Sequence, residues 1–400
     1  MTANAAHRPP LPLMVLLAAC TALGPLAINI YLPSLPVIQG QFGLDVAALQ
    51  STVSLALVAF GLGLLLLGPL ADRFGRRPAL LAGLLLFSIG SALTATAAAL
   101  PQLLAGRMTA SLGSALTFIS SRAVVADITP REQMQRSIAQ MTLLMLTAQM
   151  TAPILGNLAL ASGSWRAIQY AQLLLGLLLL GLVYWRVRET LAAHPPGQPR
   201  RSLLAPAVAL LRKRRFQLLM GQTGLLYSAY PAFVGIAPYL MIAVFHRPPT
   251  EYGLYFISVP LGYFLGNGFV LRFGMRHGHH RLIQAGTSVG VFACLLCLLL
   301  FALGLGTPAV LFGTLGVLLN FGMGLALPSA SARAVSEAWP DTASGWGLVG
   351  FSQQLSAAAA VQLVGFFPPT SAVPVVCVCA VITAMVLAIE RWSSASAQPV

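Results

Sequence analysis

The chain reads as a series of apolar runs of about 20 residues, each closed by a short polar or basic connection. Such a run is long enough to cross roughly 30 Å of hydrocarbon as an α-helix. By that rule, spans are predicted near 12-35, 48-70, 79-99, 102-125, 137-160, 167-186, 217-243, 252-272, 282-303, 308-331, 343-366 and 372-390. The fifth and tenth carry Pro153 and Pro328, which membrane helices tolerate when neighbours satisfy the freed carbonyls. The fold class expected is all-α integral membrane, with twelve transmembrane helices.

Composition gives the same answer. Of 400 residues, 57% are hydrophobic and 8% charged, with a mean hydropathy of +0.82. Soluble domains carry about a quarter charged residues, so this chain cannot cover a globule with polar surface, and membrane lipid must be its solvent. The net charge of +14 does not mark a nucleic-acid binder, because the basic residues punctuate apolar runs rather than gather on a soluble face. Their placement sets orientation instead. With both termini cytoplasmic, the inner connections hold Arg73, Arg76, Arg77, Arg131, Arg136, Arg272, Arg276, Arg281 and Arg333, and 186-215 adds eight more basic residues. The outer connections offer only Arg166 and Arg247. Cytoplasmic loops of membrane proteins carry this excess of Lys and Arg. The first apolar run continues past Pro25 with no small-residue cleavage site, and reads as a retained span.

The segment 188-214 is the one long polar stretch, with Pro195, Pro196 and Pro199 near its centre. It divides the chain into an N-terminal six-helix bundle (1-187), a cytoplasmic linker (188-214), a C-terminal six-helix bundle (215-392) and a tail (393-400). A short motif recurs across the divide: Arg73-Phe74-Gly75-Arg76-Arg77 follows the second span and Arg272-Phe273-Gly274-Met275-Arg276 the eighth. Duplicated, pseudo-symmetric halves are how many secondary transporters are built. Glycine-rich surfaces such as Gly61-Leu62-Gly63 and Gly262 to Gly268 are expected to let helices approach and slide. The five cysteines all lie in apolar runs and read as small buried thiols. No metal site and no cofactor are expected.

The loop Gly68-Pro69-Leu70-Ala71-Asp72-Arg73-Phe74-Gly75-Arg76-Arg77 has a physical reading of its own. Gly68 permits close helix contact, Asp72 can face another helix's positive N-terminus, Gly75 permits a tight turn, and the arginines hold the loop at the cytoplasmic face. The whole pattern resembles the signature loop of the major facilitator superfamily. Further stretches resemble one branch of it, the Bcr/CflA-type exporters of the twelve-span drug:proton antiporters: Asn29 to Pro36, Pro153-Ile154-Leu155-Gly156, Ser164-Trp165-Arg166, Tyr252 to Phe256, Gly322 to Pro328 and Gly350-Phe351-Ser352-Gln353. The resemblance implies that Asp72, Arg76 and Asp127 form a charge cluster that latches near Asp341. It also implies that Arg107 is the buried arginine of the fourth-span motif, and that Pro153 and Gly156 form the fifth-span motif associated with export.

The chain departs from that pattern at three places. Asn29 stands where the family commonly has aspartate, Ala110-Ser111 where Gln-Gly normally follows the fourth-span arginine, and Asn157 where a second glycine is expected. Asn cannot exchange a proton. None of the nine acids falls at mid-membrane depth, and all six histidines fall in loops or termini, so proton coupling lacks an obvious carrier. Asp127 with Arg107 is the remaining pair. Arg107 lies about two turns inside its span, where a bare charge is costly. It is expected to face a cavity and to favour neutral or anionic cargo over lipophilic cations. Asn29, Gln149, Gln222, Asn320 and Gln353 are candidate cavity residues, since amides in hydrocarbon turn inward. Tyr227, Tyr230 and Tyr239 supply flat faces with a hydroxyl.

These features point to an inner-membrane exporter of small amphipathic molecules working by alternating access. The cargo is a drug of the chloramphenicol or bicyclomycin kind, or a self-made metabolite such as a siderophore. A nutrient importer is the second reading. An integral-membrane enzyme is disfavoured, because no nucleophile–base pair and no phosphate-cradling glycine loop followed by a lysine is found. The expected partners are small-molecule cargo, lipid and protons; the chain is expected to act as a monomer.

Overall fold

The structure is a computed structural model. It describes residues 11–129, 131–160, 163–191, 205–339, 341–367 and 370–395. The greater part of the predicted linker (192–204) and most of the predicted tail (396–400) lie outside the described residues.

Every regular element among the described residues is helical. In chain order these are α1 (Leu11–Tyr31), α2 (Leu35–Phe42), α3 (Val46–Leu66), α4 (Gly68–Phe74), α5 (Arg76–Ala95), α6 (Leu100–Ile128) and α7 (Arg131–Leu160). There follow α8 (Arg166–Arg186), α9 (Ala205–Leu211), α10 (Arg214–Tyr239), α11 (Pro249–Ala302), α12 (Pro308–Ser336), α13 (Thr342–Gly365) and α14 (Val373–Ala395). Nine helical segments of the described residues are long and apolar enough to cross a membrane. The predicted eighth and ninth spans run as the single element α11, broken at Gly278 by φ +71°, ψ 158°. That backbone is open to glycine and strained for other residues. The short helix α9 lies inside the stretch read as linker.

Contacts group the chain into two compact units. One comprises Met1–Tyr31 with Leu62–Ser202, the other Leu32–Gly61 with Leu203–Val400. The core of the first gathers Leu17, Leu80, Leu84, Phe87, Val124 and Val183; a cluster in the second gathers Leu226, Ile283, Met323, Ala326 and Val386.

Lipid gives helices no hydrophobic reason to associate, so close backbone packing at small residues must do it. The α5–α6 pair illustrates this in the first unit. A Cβ at Gly90 would strike the backbone of Gly106 and Ala110, and one at Gly113 the backbone of Gly83 and Phe87. In the second unit Gly262 and Gly266 of α11 press on the backbone of α12 at Val317 and Phe321. Gly268 has nothing within 4 Å, so the glycine surface expected over Gly262 to Gly268 is close-packed only in part. Hydroxyls in this dry interior turn to their own helix: Ser88, Ser91 and Thr94 donate to the carbonyls of Leu84, Phe87 and Gly90, an arrangement that leaves no donor stranded.

The outer faces are apolar. Phe292, Leu295, Leu299 and Leu303 recur at three- and four-residue spacing, each more than half exposed. That is the stripe a lipid-facing helix presents. Exposed Trp185, Trp339, Trp346 and Trp392 lie at or near helix ends, where indole rings favour the membrane–water interface.

Candidate functional site

In the first unit α1, α5, α6 and α8 line a cleft with Ala27, Thr94, Arg107, Ser111, Ser114, Gln169 and Gln172, among others. Arg107 is 6% exposed, and its guanidinium carbon lies 3.6 Å from the centre of the Tyr31 ring. A desolvated cation over an aromatic face gains about 2 kcal/mol or more, which helps hold this charge away from water. Gln172 donates to the carbonyl of Ala27 at 3.2 Å. The buried amide nitrogen of Gln169 has no hydrogen-bond partner. No lining residue is acidic. The cleft therefore offers a positive charge and a spare donor to whatever enters it.

Asn29 is buried on α1, but its amide nitrogen donates to the carbonyl of Pro25 at 2.8 Å. Pro25 lies inside the helix, so this bond stays within α1. Gln149 is half-buried and Gly156 buried on α7. The side chains of Asp72 and Pro153 lie outside those described.

The signature loop becomes α4, a bend at Gly75, and the start of α5. A Cβ at Gly68 would meet only Ile119, at 3.8 Å, so close contact does not demand glycine there. Gly75 is different. Its φ of +107° and ψ of 153° fall in a region open essentially to glycine alone. Arg76 Nε donates to Asp127 Oδ2 at 3.2 Å, and Asp127 Oδ2 also accepts from Thr190 Oγ1 at 2.9 Å. Arg77 donates to the carbonyl of Tyr184 at 2.8 Å and covers that ring. Arg73 is exposed and lies over Phe74.

Sequence reasoning missed Glu189. It accepts from the backbone N–H of Arg76 (2.9 Å), Arg77 (3.2 Å), Thr190 (3.0 Å) and Leu191 (2.9 Å). Desolvation pushes this carboxyl up, but the four backbone bonds outweigh it and hold the group below its ordinary value. A carboxylate on the first N–H groups of a helix satisfies donors that otherwise lack partners. The signal was present, since Glu189 stands at the end of the sixth span; its partner, 113 residues earlier in the chain, was not.

Arg107 and Asp127 do not meet. They are 20 residues apart on α6, about 30 Å along a helix, and each has other partners.

In the second unit, Tyr227 and Tyr230 are half-buried and pack with Tyr263 on the cluster around Leu226 and Met323. Tyr239 closes α10. Asn320 is buried and donates to Gly316 of its own helix at 2.9 Å. Gln353 is half-buried, 3.4 Å from Ser331 Oγ. Asp341 precedes α13, and its carbonyl accepts from Gly345 at 3.0 Å. Gln222 is not free for cargo: its amide donates to Glu390 at 2.7 Å. From sequence Glu390 is only an acid outside mid-membrane depth, yet it is buried. Its side chain is 0% exposed, sheltered by neighbouring helices rather than by depth in the membrane. His280, expected in a loop, lies on α11 against it. Of the cysteines, Cys377 is exposed and the other four are buried and free.

Comparison with known proteins brings these features together. Over 263 residues the chain is 24% identical to the bicyclomycin resistance protein homolog of Haemophilus influenzae, covering 64% of this chain and 66% of that one. Over 275 residues it is 27% identical to the chloramphenicol resistance protein of Pseudomonas aeruginosa, covering 68% and 64%. It thus spans just under two thirds of the length of these relatives. A solved bacterial homolog of the human lysosomal transporter Spinster, inward-facing and occupied, has the same fold, with a TM-score of 0.73, 15% identity, and 97% and 98% of the two chains covered. The model of the Major Facilitator Superfamily matches residues 17–393, so this chain belongs to that superfamily of multi-pass membrane transporters of small molecules.

Proposed function

We propose that this chain exports small amphipathic molecules, neutral or anionic, across a bacterial inner membrane by alternating access. The observation that carries the cargo class is the cleft at Arg107, whose described lining holds a buried cation and the spare donor of Gln169 and includes no Asp or Glu. A cargo presenting carbonyl, nitro or carboxylate oxygens is stabilised there, and a lipophilic cation is repelled in a medium of low dielectric. Relatives named for bicyclomycin and chloramphenicol resistance support drug-like cargo and an outward direction.

Two six-helix halves joined near 188-214 rock about this region, with both termini on the cytoplasmic side and the protein acting as a monomer. The arginine asymmetry of the connections supports that orientation. Arg76 with Asp127, and Glu189 on the start of α5, hold the signature loop that carries the latch. Cargo with equal affinity for the two states moves nothing uphill, so a proton gradient is the proposed energy source.

Binding to the purified chain tests the cargo class. Chloramphenicol is expected to bind, and Arg107→Ala to weaken it tenfold or more, while tetraphenylphosphonium binds poorly to both. Tight phosphonium binding with no affinity for chloramphenicol rejects the reading.

A further inference from the structure

Four helices of the second unit converge on one carboxylate. Glu390 of α14 lies wholly out of solvent, with Arg333 Nη1 of α12 at 2.8 and 3.0 Å from its two oxygens and Gln222 Nε2 of α10 at 2.7 Å. His280 Nδ1 of α11 touches Glu390 Oε1 and also lies 3.4 Å from Arg333 Nη1. One imidazole nitrogen thus reaches both an acceptor and a donor. With Nδ1 protonated it donates to Glu390; with Nδ1 bare it accepts from Arg333. The two bonds need opposite protonation of the same atom.

Access to solvent runs through the same ring. The His280 side chain is 43% exposed, against 13% for Arg333 and 0% for Glu390. A proton can therefore arrive from water at the outer edge of the imidazole while its inner edge holds a buried charge. Loading takes the cluster from neutral (Arg333 positive, Glu390 negative, His280 neutral) to a net charge of +1. A charge step at the junction of four helices changes what holds them together. Among the described side chains, His279 and Arg281 of α11 and Arg391 of α14, each next in sequence to a member of the cluster, are exposed. Arg215 at the start of α10 pairs with Glu337 at 3.0 Å, and α13, which packs on α14, carries no charged residue.

We infer that His280 and Glu390 form a proton-binding site that takes up and releases one proton through the exposed imidazole edge. The site gives the protein the proton carrier that Asn29 denies it in the first span. Its meaning as a coupling site rests on the exporter reading, but its existence does not.

The test begins without cargo. The full chain, labelled with ¹⁵N-histidine in detergent, is titrated from pH 5 to 9, with His280→Gln assigning the resonance. The His280 ring signals are expected to change from one protonation form to the other across the series, and Glu390→Gln to alter that change. An imidazole that keeps one form throughout, or a response indifferent to Glu390→Gln, leaves a static clamp and overturns the proposal. Should Glu390→Gln fail to fold, the titration of the otherwise native chain still decides.

In proteoliposomes, the ratio of proton-gradient-driven to counterflow chloramphenicol transport is expected to fall tenfold or more in His280→Gln. An unchanged ratio overturns the coupling role. Absence of any chloramphenicol movement in the native protein sinks the exporter reading instead, and the titration stands apart from it.

Discussion

The carboxylate of Glu189 fills the space into which any side chain at position 75 would project: an ideal Cβ on Gly75 falls 2.5 Å from Glu189 Oε2. The glycine of the signature loop is therefore required twice, once by its dihedrals and once by Glu189, just past the end of α8, which sits against it. The loop is short in sequence, but its geometry is completed 113 residues further along.

Gly75→Ala is expected to destabilise the protein by about 2 kcal/mol, within the range for a residue forced into glycine-only backbone. Glu189→Ala is expected to cost about 1 kcal/mol, as for loss of a helix N-terminal cap. Because the alanine methyl displaces the same carboxylate, the double substitution should cost less than the two single ones added. Thermal unfolding of the four proteins in detergent measures this, and strict additivity contradicts the shared contact.

Glu189 also predicts a pH dependence with a definite sign. Its carboxyl is held below the ordinary value of 4.5 in the folded chain. The stabilisation is then fully present above about pH 5 and is lost as pH falls through the lowered native value. Glu189→Gln should be less stable than the native protein at pH 7 and should converge with it in acid. The group is exposed, so solvent screens the effect and the expected difference is small, below about 1 kcal/mol. A gap between the two proteins that widens toward low pH would contradict the assignment.

Asn29→Asp tests the missing coupling position. The Asn29 amide donates to the Pro25 carbonyl; a protonated acid can keep that bond and a carboxylate cannot. The substitution should introduce a pH-dependent component into chloramphenicol transport that the native chain lacks at this position. Transport with the same pH profile in both proteins argues that position 29 takes no part in coupling even as an acid.

Close packing of α5 on α6 makes Gly90 and Gly181 unequal. A methyl at Gly90 collides with the backbone of α6, whereas one at Gly181 meets nothing within 4 Å. Gly90→Ala should lower stability by about 1–3 kcal/mol, the usual cost of overpacking, and Gly181→Ala, inside α8 with open space around it, should be neutral or stabilising by up to about 1 kcal/mol. Equal behaviour of the two variants would show that the helices do not approach as closely as described.

Much of the fold was legible because burial in lipid needs only a long apolar run, and such runs are local facts of sequence. The span before Arg73, the short connection after it and the resemblance of its loop to the superfamily all follow from contiguous residues. The break within α11 was legible only as a gap between two runs; Gly278 shows how the backbone makes it.

The sites were less legible. Arg107 could be suspected from its depth in a span, but not its cover by Tyr31, 76 positions away. Glu390 and His280 were set aside because depth was read from distance to a helix end. What buries Glu390 and sets His280 against it is four helices meeting near their ends, and that is a property of packing.

By itself, then, the sequence determined the solvent of this protein, the helical state of its spans and its superfamily, since each depends on residue type along a continuous stretch. Tertiary structure alone decided which charges are partnered and which are hidden from water. Gln222 could have met cargo or Glu390. Such choices depend on distances across the chain, to which electrostatic and hydrogen-bond energies are steeply sensitive.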